Sequence, residues 1–534
     1  MNLAAKRPAS SAGPVLLRKI ARASELLRKG EVAKAAEQGV ALADAHPDQP
    51  RALAFAAEAC RVKGDLPAAL AWIDKAIAVG NDPQHKIKRA WLLSRLFRRD
   101  EIPAYAEQIA AEAGDDALLL WQLGKLYYHH NHLDDAIRCY ERALSIRGDH
   151  PGWLYDLAIA RFYGGYFEEA ERDLNKVLSV TPQSGAVLYL RSTLRKQRPD
   201  NNNVADLEAR LQAGFQNPDG EAGALYALAR ELEDLGEYEK SFATLIAGAR
   251  KKRSTIQYDA TGFFETLEEI RRVQDAEALA TPVQGHEEEG AIFIVGMPRT
   301  GTTLTQRLLL QSGKVTDAGE LTDFGYLLTT AVRGQQAADP ALSPIAATMR
   351  LDFAALGRQY MRAARQMAGG GQMFIDKMPV NYMYCGVIRK ALPNARIIHL
   401  VRDPLDSCYA IFKTLFFNAY DFSYDLDELG EYYVAYRRMM KHWHDVMPGS
   451  ILDVRYEDLV TDTEAQARRI YDWCGLEWDP RALEVPDKRM AFATASAVQV
   501  REPVHARSVN SSRRHAAGLA PLVEKLAAAG VLDS

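Results

Sequence analysis

The sequence predicts an α-solenoid followed by an α/β domain with a central parallel sheet flanked by helices. Three observations lead there. Self-similar helical hairpins recur at a period of 34 residues in the first half. Further on, Ala291-Ile292-Phe293-Ile294-Val295 is a continuous apolar run rich in branched residues, which reads as a buried parallel strand. A glycine-containing turn and a helical pattern follow that strand at once.

The hairpins come first in the chain. Leu120–Gly148 and Leu154–Pro182 superpose when set 34 residues apart, with Leu123 on Leu157, Gly124 on Ala158, Ala136 on Ala170 and Tyr140 on Leu174. Small residues stand where two helices must approach, and larger ones fill the gaps between neighbouring pairs. Upstream, Gly30, Ala35 and Leu42 fall on Gly64, Ala69 and Ala76 at the same period. Weaker copies span Ile87–Ala110 and the positions Leu225, Leu228, Ala229, Gly236 and Leu245. This resembles the tetratricopeptide repeat over roughly residues 16–250. Each such repeat cannot bury its apolar face alone, so stacking makes the core. Two roles stay open for it: support of the second domain, or a concave surface for a protein or peptide. The His129-His130-Asn131-His132 cluster reads as a solvated inter-helix turn. Pro282, Gly285 and Glu287-Glu288-Glu289 break the periodicity, so the helical domain is expected over 16–280 and the second domain over 290–534.

Composition limits the function classes. A chain of 534 residues exceeds what one core organises, and a 48% apolar fraction excludes bulk disorder. A formal net charge of −4 gives no support to nucleic-acid binding. No stretch approaches the run of about 20 apolar residues that a membrane helix needs. No apolar segment follows the charged start, Met1–Pro14. No signal peptide, no membrane span and a cytoplasmic location are therefore expected. The five cysteines are scattered, with none in a C-x-x-C pair, which predicts buried reduced thiols and no zinc site.

The chemistry sits after the predicted strand. Gly296-Met297-Pro298-Arg299-Thr300-Gly301-Thr302-Thr303 leads into the helical pattern from Leu304 to Leu310. Strand, glycine turn and helix make a phosphate cradle, because backbone N–H groups and the helix N-terminus both face an anion. The domain is thus expected to be P-loop-like. A nucleotide hydrolase carries lysine where this loop has Thr302, to hold the terminal phosphates beside Mg²⁺. Arg299 supplies a fixed cation instead.

Pro298-Arg299-Thr300-Gly301-Thr302-Thr303 resembles the 5′-phosphosulfate loop of the sulfotransferase superfamily. Ala395–Val401 followed by Arg402-Asp403-Pro404-Leu405-Asp406-Ser407 is similar to that family's 3′-phosphate motif, in which an arginine and a later serine hold the phosphate. The protein-tyrosine branch carries the serine eight residues after the arginine, where this chain has Ala410; Ser407 is the expected substitute. Lys377, in Asp376-Lys377-Met378-Pro379, resembles that branch's catalytic lysine. Glu320, 21 residues after Arg299, resembles its catalytic glutamate. Tyr456, in the segment Ile451–Val460, is expected against the adenosine. Arg501 and Ser508 lie in a tail that resembles the family's nucleotide-closing loop.

The resemblance implies a donor, 3′-phosphoadenosine 5′-phosphosulfate, a product, 3′,5′-bisphosphoadenosine, and no metal. Glu320 is expected as general base, with Lys377 and Arg299 stabilising the charge that develops during transfer. A protein tyrosine reached through the repeats is the favoured acceptor; small phenols, sugars and lipids stay open. The rivals are a P-loop nucleotide kinase, disfavoured by the absent lysine, and a repeat scaffold with an inactive domain. No sequence signal decides the oligomeric state.

Overall fold

The computed structural model describes residues 13–485 and 498–532. The chain divides into two compact units, Met1–Trp153 and Leu154–Ser534. In the first unit the hairpins form as their spacing requires. Helices Pro50–Lys63 and Leu66–Gly80 make one pair, and Ala117–His129 and Leu133–Arg147 another. Asp65 and Asp116 cap their helices by accepting the N–H of Ala68 and Leu119. Gly124 is small because Tyr140 fills its place: a Cβ there would stand 2.6 Å from the tyrosine ring. The histidine cluster forms the expected turn, and burial pulls His130 down to about 3, so its ring is neutral there.

The second unit holds a five-stranded parallel sheet. Its strands are β1 (Ala291–Gly296), β2 (Val315–Gly319), β3 (Met373–Asp376), β4 (Arg396–Val401) and β5 (Ile451–Arg455), in the order β2-β3-β1-β4-β5. β1 is central and buried along its whole length, which is why it reads as an unbroken apolar run. Ile292 and Ile294 join Ile398, Leu400 and Val454 in a core closed by Ile470 and Tyr471 of helix Thr463–Cys474. On the opposite face Phe293 stacks on Tyr360, which meets Phe324 edge-on.

Helices from residues 185–253 pack into this same unit. Gly185, Gly220 and Gly223 let two of them touch backbone to backbone. Tyr226 donates to Phe412 O at 3.1 Å, Leu415 N donates to Tyr189 Oη at 3.1 Å, and Arg253 pairs with Glu428 at 2.7 Å. The break in periodicity at 281–290 therefore lies inside the second unit. All five cysteines are free thiols, four of them buried. Among the described residues no helix is long and apolar enough to cross a membrane.

Candidate functional site

Parallel strands put every C-terminal end on one edge of the sheet, and ligands of such folds bind outside those ends. β1 runs into the glycine turn, β2 into Glu320, β3 into Lys377, β4 into Arg402 and β5 into Tyr456. The topology thus collects residues that lie up to 157 positions apart, from Arg299 to Tyr456.

The turn ends at helix Thr302–Leu310, with Gly301 as N-cap in the left-handed region at φ 99°. A Cβ on Gly301 would stand 2.7 Å from the Tyr456 ring, so both conformation and space require glycine. Arg299 also has a left-handed backbone, at φ 67°. For a non-glycine residue that costs of order 1–3 kcal/mol, strain of a kind that clusters at functional sites. It leaves the Arg299 carbonyl accepting from Arg402 Nη1 at 2.9 Å. Burial, with the charges of Arg230 and Arg402 nearby, pulls the Arg299 guanidinium down to about 10. Cations crowded this way favour an anion between them.

One cavity is lined by Arg299, Gly301, Thr302, Thr303, Arg402, Tyr456 and Ser508. Pro298 and Thr300 are buried within the turn itself, where Thr300 Oγ1 donates to Met297 O at 2.8 Å. Arg402 is 6% exposed and lies over the Tyr456 ring at 4.7 Å. Its Nη2 donates to Ser508 O at 2.7 Å, so Ser508 contributes its carbonyl here. Arg402 Nε is buried without a hydrogen-bond partner, a donor suited to a ligand oxygen.

Two expected contacts do not form. Ser407 is fully buried and its hydroxyl turns back to Arg402 O at 3.4 Å, because the first turn of helix Pro404–Phe412 faces it inward. Ala410 reaches the cavity, and the serines there are Ser508 and Ser511. Arg501 points away, donating to Tyr163 O at 2.8 Å over the Phe167 ring.

Glu320 and Lys377 form an ion pair at the ends of β2 and β3, outside the cavity lining. Lys377 is 3% exposed and Glu320 41%, so a buried cation holds a carboxylate that solvent or a substrate can reach. Behind them Asp376 is fully buried, and burial pushes its carboxyl up to about 7. It accepts from Tyr360 Oη at 2.7 Å and from Leu321 N at 3.4 Å, which ties the Glu320 loop to β3.

Three residues escaped the sequence reading. Arg307, 1% exposed, donates to Glu484 O at 2.9 Å and to Val500 O and Glu502 O at 3.2 and 2.9 Å, pinning the tail over the cavity. Its position four residues after Thr303 on one helix face was the available signal. Lys413 lines the cavity and is held by both oxygens of Glu233 at 2.9 and 3.0 Å. Asp406, 1% exposed, accepts from Asn510 N at 2.6 Å, Ser512 N at 2.8 Å and Ser511 Oγ at 3.3 Å. Asp406→Asn removes charge-assisted bonds worth about 1.5–3 kcal/mol each. A bound 3′,5′-bisphosphoadenosine should then leave about 10–100-fold faster, read by stopped-flow displacement of a fluorescent analogue. An unchanged dissociation rate would show that Asp406 does not hold the closed tail.

A helix N-terminus after β1 and two arginines, Arg299 and Arg402, thus line one cavity at the C-terminal edge of the sheet, an arrangement suited to an anion. Residues 291–480 match the model described as "Sulfotransferase family", and residues 20–86 and 117–150 match tetratricopeptide repeats. Segments similar to tetratricopeptide repeats thus precede a segment similar to the sulfotransferase family. Similar proteins include one from Aquifex aeolicus (strain VF5), described as uncharacterized, 28% identical over 386 residues, or 71% of this chain and 50% of that protein. Another is the omega-hydroxy-beta-dihydromenaquinone-9 sulfotransferase Stf3 of Mycobacterium bovis, 32% identical over 115 residues, 19% of this chain and 28% of that protein. The chain spans half the length or less of these curated relatives. Among solved structures, the sulfotransferase domain from the Synechococcus PCC 7002 olefin synthase is 19% identical, covering 43% of this chain and 90% of that one at a TM-score of 0.32.

Proposed function

We propose that this chain moves a sulfuryl group from 3′-phosphoadenosine 5′-phosphosulfate to an acceptor hydroxyl. The observation that carries the reading is the convergence of Arg299 and Arg402 on one cavity at a helix start, with the Glu320–Lys377 pair at the ends of β2 and β3 on the same edge of the sheet. Thr302 and Thr303 at the helix N-terminus, with Arg299, would take the 5′-phosphosulfate. Arg402 would take the 3′-phosphate and Tyr456 the adenine side. In the transfer, the bond from sulfur to the bridging oxygen breaks and the acceptor oxygen bonds to sulfur. Glu320 takes the hydroxyl proton, and Lys377 and Arg299 stabilise charge on the sulfuryl and leaving phosphate oxygens. These fixed cations and backbone donors serve without a metal in this scheme.

The resemblance to the protein-tyrosine branch, joined to the repeats, supports a protein tyrosine as acceptor. The Mycobacterium relative, named for a menaquinone hydroxyl, makes a hydroxylated lipid the rival acceptor. Thermal unfolding tests the donor. At about 100 times its Kd, 3′,5′-bisphosphoadenosine should stabilise the full chain by about 2.7 kcal/mol, and ATP with Mg²⁺ at equal concentration should not. Stabilisation by ATP alone would favour a kinase instead. Labelled sulfate transfer to a tyrosine peptide or a hydroxylated quinone then separates the acceptors, and donor binding without transfer to any acceptor points to an inactive domain.

A further inference from the structure

Away from the cavity, His399, His444 and Asp453 come together. His399 on β4 and Asp453 on β5 are register partners, and His444 lies in the last turn of helix Leu426–Val446. Asp453 Oδ1 stands 2.8 Å from His399 Nδ1 and 3.0 Å from His444 Nε2. One ligand atom from each residue lies within 4.8 Å of the other two. The second ring nitrogen of His399, Nε2, meets the Tyr436 hydroxyl. His399 is 3% exposed, whereas His444 and Asp453 are 35% and 44% exposed, so solvent reaches the group from one side. None of the three lines the donor cavity.

We propose that His399, His444 and Asp453 bind one transition-metal ion of the zinc type. Two imidazoles and a carboxylate are the donor set that borderline cations such as Zn²⁺ and Co²⁺ take. With metal–ligand bonds of about 2.0–2.2 Å, tetrahedral ligand atoms sit roughly 3.3 Å apart. The 2.8 and 3.0 Å separations open slightly, and the two imidazole nitrogens, within 4.8 Å of each other, adjust to reach that. Tyr436 supplies the outer partner that metal-bound histidines use: with Nε2–H donating to the tyrosine oxygen, the Nδ1 lone pair faces the ion. The exposed side leaves a position for water. The charge of Arg437 acts on both imidazoles and opposes an added cation, so binding reflects three ligands working against that repulsion.

An ion there joins β4, β5 and helix Leu426–Val446. β4 is the strand that ends at Arg402, and the His399 ring lies 3.6 Å from where a Cβ on Gly296 would stand. The site therefore braces the floor of the phosphate turn without touching a ligand in it. Spacings of 45 and 9 residues between the three ligands match no short metal motif, which is why the sequence pointed to no metal site.

The test uses the full chain, stripped of metal. It is titrated with Zn²⁺ against a chromophoric chelator, and with Co²⁺ followed by visible absorption. Saturable uptake of one ion per chain is expected, lost in H444A and in D453N and weakened about 10–100-fold in Y436F. Zinc should raise the unfolding temperature of the parent chain and leave that of H444A and D453N where each lies without metal. The proposal fails if the stripped parent takes up no ion, or if H444A and D453N bind as the parent does, which would place any uptake elsewhere.

Discussion

Glu320→Ala lowers turnover by about 10²–10⁴-fold, the usual contribution of a positioned general base, and leaves affinity for 3′,5′-bisphosphoadenosine close to that of the parent chain. The separation follows from geometry: the carboxylate belongs to an ion pair outside the cavity lining. Alanine also strips the nearly buried Lys377 of its partner, and an uncompensated buried cation destabilises by itself. Glu320→Gln resolves that ambiguity, since the amide oxygen still accepts from Lys377 Nζ but takes no proton at neutral pH. Both variants should lose turnover, and the glutamine variant should unfold near the parent temperature. Full sulfate transfer by the glutamine variant would remove Glu320 from the chemistry.

Arg402→Ala weakens binding of the bisphosphate by about 2–5 kcal/mol, the cost of truncating one member of a buried charge pair, which is roughly 30-fold or more. The guanidinium serves two purposes. Nη1 and Nη2 brace the carbonyls of Arg299 and Ser508, while the unpartnered Nε is left for a phosphate oxygen. Adenosine 5′-monophosphate separates the two, because it has no 3′-phosphate to lose. Titration calorimetry should show a much smaller loss for the monophosphate. An equal loss for both nucleotides would mean that Arg402 only supports the turn.

The strand Ala291–Gly296 and the turn after it were legible because a run of branched apolar residues, two glycines and paired threonines state one local geometry. Arg402 and Tyr456 were legible for the same reason, each standing at the end of a strand. The 34-residue period exposed the hairpins, since Gly124 and Tyr140, which pack together, have Ala158 and Leu174 at the corresponding positions. What stayed hidden depends on partners far along the chain. Asp406 looks like one more acidic residue in a helix first turn until residues 104–106 positions away bring their N–H groups to it. Ser407 is nearest to Arg402 in sequence, but helix rotation turns it inward while the tail brings Ser508 and Ser511 to the cavity. Arg501 stands in the tail, and its direction is decided by Tyr163 and Phe167.

The helices of residues 185–253 carry a lesson for how such a chain is cut and inherited. Tyr226, Tyr189 and Glu233 are bonded to the backbone or side chains of residues 412–415, and Lys413 faces the cavity from there. A catalytic fragment begun at the glycine- and proline-marked break near residue 290 would bare an aromatic surface and strip Lys413 of its counter-charge. The unit that holds the sheet starts well upstream of that break, at Leu154. In recombination as in cloning, the last hairpins travel with the enzyme.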